Sequence, residues 1–109
     1  MTVNSKQKGA RSERELAKLL REHGYENARR SAQYCGNTGD AADIVDALPG
    51  FHIECKHQET TKIWDWLAQA ERDHKEGTIP IVVFRRNRSK WQVCLDFERF
   101  LDLIKEISE

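Results

Sequence analysis

The sequence predicts a single α/β domain, three helices and five strands in the order α-β-β-β-α-β-β-α. Three observations carry that prediction. At 109 residues the chain has room for one compact domain of ordinary size, with little left over for a second. Segments with apolar residues at helical spacing are interleaved with short runs rich in Val, Ile and Phe, the residues that strands favour. Gly, Pro, Asn and Asp fall between these segments, where turns need them. Residues 1–109 are therefore expected to form one unit, with 1–7 as a flexible tail.

The first helix is signalled by Ser12-x-x-Glu15, which reads as a capping box, and by the stripe Leu16, Ala17, Leu19 and Leu20, which stops at Gly24. Tyr25–Ser31 suits a short strand, and Tyr34–Asp40 carries two glycines and several turn formers, as a loop does. A hairpin follows. Ala42–Asp46 and Phe51–Lys56 read as its strands, and Leu48-Pro49-Gly50-Phe51 has Pro and Gly where a type II turn wants them. Thr60 or Thr61 is placed to cap a second helix running to about Lys75, with Ile63, Trp64, Leu67 and Ala70 on its apolar face and Gly77 beyond its end. Ile79–Phe84 reads as a buried strand, Arg85–Lys90 as a basic turn and Trp91–Leu95 as a fifth strand. Phe97, Phe100, Leu101 and Ile104 mark a closing helix.

Hydrophobic residues make up 39% and charged residues 33%, a globular balance, and no apolar run approaches the ~20 residues of a membrane helix. The polar start Met1–Lys6 has no apolar stretch of secretory type, so the expected location is the cytoplasm. Cys35, Cys55 and Cys94 are odd in number and widely spaced, which argues against a disulfide framework. Cys55-x-His57 has no second pair at finger spacing, so a structural zinc site is not supported.

Net charge is zero, with 18 basic and 18 acidic residues, but the distribution is uneven. Residues 1–30 carry +4, 31–60 carry −4, 61–90 carry +3 and 91–109 carry −3. An acidic middle between basic stretches suits an enzyme that holds a cation on carboxylates and a polyanion on Lys and Arg. A solvated surface with scattered charge is the plainer alternative.

Strand side chains alternate, so Glu54 and Lys56 share one face, and Asp43 on the hairpin's other strand joins them. The turn at 48–51 gives facing pairs whose numbers sum to 99, with Asp43 opposite Lys56; a turn one residue earlier gives 97, with Asp43 opposite Glu54. Ionised groups gathered on a sheet cost several kcal/mol to desolvate unless compensated. A hard cation such as Mg²⁺ supplies that compensation, and it would polarise a phosphate and acidify a water that Lys56 helps to hold. A surface ion-pair ladder would explain the same residues.

At 100° per residue Glu13 falls inside the arc of Leu16, Ala17 and Leu20 and points inward. An acid there needs a partner such as a metal, or else is a first-turn acid favoured by the helix dipole. Gln69 faces either solvent or the site. Trp64, Trp66 and Trp91 suit a core or a dimer interface better than base stacking. His23, His52, His57 and His74 show no paired ligand spacing and receive no catalytic role.

The runs Lys8-Gly9-Ala10-Arg11-Ser12-Glu13-Arg14-Glu15-Leu16, Arg29-Arg30-Ser31, Asp43-Ile44-Val45 and Ile53-Glu54-Cys55-Lys56 together resemble the archaeal-type Holliday junction resolvases and their phage and prophage relatives, in the PD-(D/E)xK nuclease superfamily. The resemblance spans residues 8 to 104, and Gln69-Ala70, Ile79–Val83 and Arg85–Arg88 are especially like the phage members. It implies a restriction-endonuclease-like core with a mixed five-stranded sheet flanked by helices. It also implies phosphodiester hydrolysis with Mg²⁺, for which Mn²⁺ substitutes, by a homodimer acting on four-way DNA junctions in a bacterial or phage-infected cell.

By match, Glu13, Asp43 and Glu54 would hold metal with the Cys55 carbonyl, Lys56 would assist the nucleophile, and Gln69 would stand at the site. Arg14 and Arg30 would contact phosphate, with Ser31 at the site edge; Lys8, Arg11, Arg29, Arg85, Arg86 and Arg88 would complete the DNA surface. Ala42 stands where the superfamily motif has proline, and Cys55 where valine is frequent. The alternatives are a nuclease for other branched or single-stranded DNA, a non-catalytic DNA-binding module of the same fold, and a protein-interaction domain indifferent to DNA and Mg²⁺.

Overall fold

The computed structural model describes residues 5–31 and 42–108; the expected loop at Tyr34–Asp40, with Cys35, lies outside them. Eight elements follow the predicted order: α1 (Ser5–Glu22), β1 (Arg29–Arg30), β2 (Ile44–Val45), β3 (Phe51–His57), α2 (Ile63–Asp73), β4 (Ile79–Arg85), β5 (Gln92–Cys94) and α3 (Phe97–Ser108). The strands form one mixed sheet, β1-β2-β3-β4-β5, in which only β3 and β4 run parallel. That parallel pair requires a crossover, and α2 supplies it.

Alternation along the central strands sorts the core into two layers. Ile53, Cys55 and Ile81 pack with Leu16 and Ala17 of α1, whereas Val82 packs with Trp66 and Ala70 of α2. Both faces of β3 and β4 are thus covered, which is why β4 reads as an almost continuous apolar run. α3 has no buried residue.

α1 begins at Ser5, within the stretch expected as a tail and two turns before the expected capping box. Lys, Gln, Ala and Arg are good helix formers; they supply five of residues 6–11 and carry the helix across Gly9. Ser12 and Glu15 are consequently interior helix residues: the Ser12 hydroxyl bonds to His57 and Glu15 pairs with Arg85. α2 is likewise not capped by a threonine side chain; Lys62 precedes it without a side-chain cap bond.

The hairpin corrects one link in the sequence argument. The turn stands where predicted, with the Phe51 N–H on the Leu48 carbonyl at 3.1 Å and Gly50 at φ 82°, as the third residue of a type II turn requires. The register is nevertheless the one attached to an earlier turn, because Ile44 faces Ile53 and their numbers sum to 97. Leu48 stands four positions after Ile44, but Ile53 only two positions after Phe51. Asp46, at φ 56°, turns the chain where the extra residues are absorbed.

Candidate active site

β2 ends at Ile44 on its N-terminal side while β3 runs on to His57, so beyond this point the edge of β3 has lost its regular neighbour. Asp43 occupies that notch. Its backbone N–H bonds to the Ile53 carbonyl at 2.9 Å, its carbonyl accepts from the Ser31 N–H at 2.9 Å, and its Oδ2 accepts from the Cys55 N–H at 2.7 Å. A carboxylate here replaces the backbone acceptor that a longer β2 would have provided. The register brings Asp43 alongside Glu54, to whose carboxyl it is hydrogen-bonded.

Glu54 is only 1% exposed, and the His52 Nε2–H donates to its Oε1 at 2.8 Å. Lys56 lies on the same face, its Nζ donating to Gln69 Oε1 of α2 at 2.9 Å, so the site-facing choice for Gln69 is the one realised. Glu13 comes from the α1 side; it is buried and accepts from the Arg30 Nε at 2.6 Å. Since it stands in the third turn of α1, the first-turn dipole explanation of Glu13 does not apply.

Electrostatics register this crowding. Burial, then the Glu54 carboxylate and more weakly Glu13, push the Asp43 pKa from 3.8 up to about 7, against the lowering effect of the Cys55 N–H. Burial and the same carboxylates push the Cys55 thiol well above its ordinary range, so it is a packed, unreactive group. Among the described residues no three His, Cys, Asp or Glu side chains are gathered closely enough to hold a metal ion. Mg²⁺ does not demand that: it takes one or two carboxylates and completes its shell with water and substrate phosphate. Asp43 and Glu54 are hard oxygen donors whose mutual repulsion a divalent cation would relieve, so the residues present fit the group.

A cleft of about 710 Å³ opens over Glu13, Asp43 and Lys56 and is lined also by Lys8, His57 and Lys62, with Glu54 buried behind it. A smaller one of about 230 Å³ shares Lys8 and His57 with it and continues to Arg11 and Asn87. The basic residues divide into two groups. Lys8, Arg11, Arg14, Arg86 and Arg88 are partly or fully exposed and form no ion pair with a described acid. Arg29, Arg30 and Arg85 are held by Asp46, Glu13 and Glu15, and the Arg85 guanidinium also lies 5.0 Å from the Trp91 ring. Ser31 is buried beside Asp43 through its backbone bond, at the edge of the site.

Two histidines given no role in the sequence take part. The alternation that places Glu54 and Lys56 together also places His52 with them, a signal present in the sequence. His57 is different: its Nδ1 accepts from the buried Ser12 hydroxyl at 2.6 Å and its Nε2–H donates to Asn87 Oδ1 at 2.8 Å. This chain ties the residue before Glu13 to the residue after Lys56, and its members lie 45 and 30 positions apart.

A family model described as "Phage putative PDDEXK endonuclease" matches residues 4–109. No curated protein and no solved structure matches the chain. No helix among the described residues is long and apolar enough to cross a membrane.

Proposed function

Because the chain belongs to this phage PDDEXK endonuclease family and is a nuclease of the PD-(D/E)xK type, we propose that it is a Mg²⁺-dependent, structure-selective DNA endonuclease that acts as a homodimer on four-way junctions. The observation that carries the proposal is the carboxylate pair at the β3 edge, Asp43 against the 1%-exposed Glu54, with Lys56 beside it. Burying like charges together is costly, and a site that binds a cation and a phosphate recovers the cost.

In this reading Asp43 and Glu54 hold the cation, and Glu13, paired with Arg30, adds negative charge beside them. Mg²⁺, when bound, supplies positive charge at the scissile phosphate and acidity to a water beside it. The remaining work belongs to the chain. Gln69 Oε1 fixes the Lys56 ammonium, which holds a phosphate oxygen or the attacking water. His52 keeps the Glu54 carboxylate in one orientation by its 2.8 Å bond. Lys8, Arg11, Arg14, Arg86 and Arg88 carry the strand phosphates, whereas Arg30 acts on Glu13. With few elements to read base edges, a domain of this size selects its substrate by shape and by the spacing of two sites.

The test is strand cleavage of a labelled four-way junction and of a matched linear duplex in Mg²⁺, by the wild type and by Glu54→Ala. Paired cuts confined to the junction and reduced at least 100-fold in the variant are expected. Equal cutting of both substrates would discard junction selectivity, and junction binding without cutting would indicate a non-catalytic module.

A further inference from the structure

α3 is a twelve-residue helix without a buried residue. Phe97, Phe100, Leu101, Ile104 and Ile107 nevertheless recur on one side at helical spacing, and the rings of Phe97 and Phe100 stack with centroids 6.2 Å apart. Phe97 is 69% exposed and Ile107 80%. At its N-terminal end the stripe runs into an apolar groove of about 590 Å³ lined by Trp64, Leu67, Pro80, Leu95 and Phe97. Trp64, on the rim, is 81% exposed. An ion pair between Arg99 of α3 and Glu71 of α2 fixes the helix beside the groove.

We infer that this face, the α3 stripe with the groove at its end, binds a second copy of the chain in a two-fold pair. With an aromatic side chain worth about 150–250 Å² and an aliphatic one somewhat less, the six exposed apolar residues offer on the order of 700 Å². A stable interface takes about 800 Å² from each partner, so the face has the size that a dimer needs. It also has the shape. A two-fold contact joins one patch to itself, and this patch contains both a protruding apolar helix and a groove to receive one.

A membrane surface is a poorer occupant, since the polar side of α3 carries Glu98, Asp102 and Glu106 against Arg99 and Lys105, the wrong balance for anionic lipid. The inference deepens the homodimer in the proposed function. It rests on that reading only for the purpose of pairing, because association is measured without DNA or Mg²⁺; a dimer that cuts nothing would overturn the nuclease proposal alone.

The experiment is sedimentation equilibrium of the full chain between 1 and 100 µM, for the wild type, Ile104→Glu and Ile107→Asp. The wild type is expected at twice the 12.7 kDa chain mass. Ile104→Glu should shift it to the single-chain mass, at least a 100-fold loss of affinity. Ile107→Asp, in the last turn and too peripheral to disturb the fold, should weaken association about tenfold. A wild type that stays at the single-chain mass at 100 µM overturns the inference, and so do variants that dimerise like the wild type, which would place the contact on another face.

Discussion

Replacing Asp43 by Asn removes one charge from the carboxylate cluster while keeping the side chain's shape and an oxygen to accept the Cys55 N–H. In the wild type, burial, Glu54 and Glu13 raise the Asp43 pKa from 3.8 to about 7. A carboxyl with a higher pKa in the folded state binds its proton more tightly there. Its contribution to stability is therefore fully present below about pH 4 and is lost as pH rises through about 7. Roughly three pH units at about 1.4 kcal/mol each make the loss on the order of 4 kcal/mol. Asp43→Asn cannot lose a proton and should escape it. Thermal unfolding of both proteins from pH 4 to pH 8 should give coincident curves at the acid end and a Tm advantage for the variant on the order of 15 °C at pH 8. Mg²⁺ at pH 8 should raise the Tm of the wild type and leave that of the variant nearly unchanged, because the cation offsets the same repulsion. Parallel pH profiles for the two proteins, offset or not, would refute the crowding argument.

Two further outcomes follow from the contacts around the site. His52→Ala strips the Glu54 carboxylate of its donor in a position closed to water, and should lower the urea midpoint by the equivalent of about 1–3 kcal/mol with an unchanged denaturant slope. Arg86→Ala and Arg88→Ala remove exposed charges at the β4–β5 turn; each should reduce the salt dependence of junction binding by about one unit in the log–log slope while leaving the Tm in place.

Much of the site was legible because it rests on local geometry. The period-2 pleat puts Glu54, Lys56 and His52 on one face whatever lies around them, and the 100° helical step turns Glu13 inward with Leu16 and Leu20. The type II turn at 48–51 is equally local, a matter of Pro and Gly at fixed positions. What those residues touch is another matter. The 97 register depends on Asp46 adopting a left-handed conformation to absorb extra residues, and no pattern of polarity announces that.

The sequence by itself determined the order of the elements, the buried run that becomes β4, and which carboxylates and lysine point the same way, because backbone geometry imposes those periods on any chain. Only the tertiary structure decided that Ser12 leaves its expected cap to meet His57, that Arg30 is held by Glu13, and that the apolar stripe of α3 stays uncovered. These are contacts between segments far apart in the chain, and they are set by which surfaces pack against which, a property of the folded whole that no local window of residues contains.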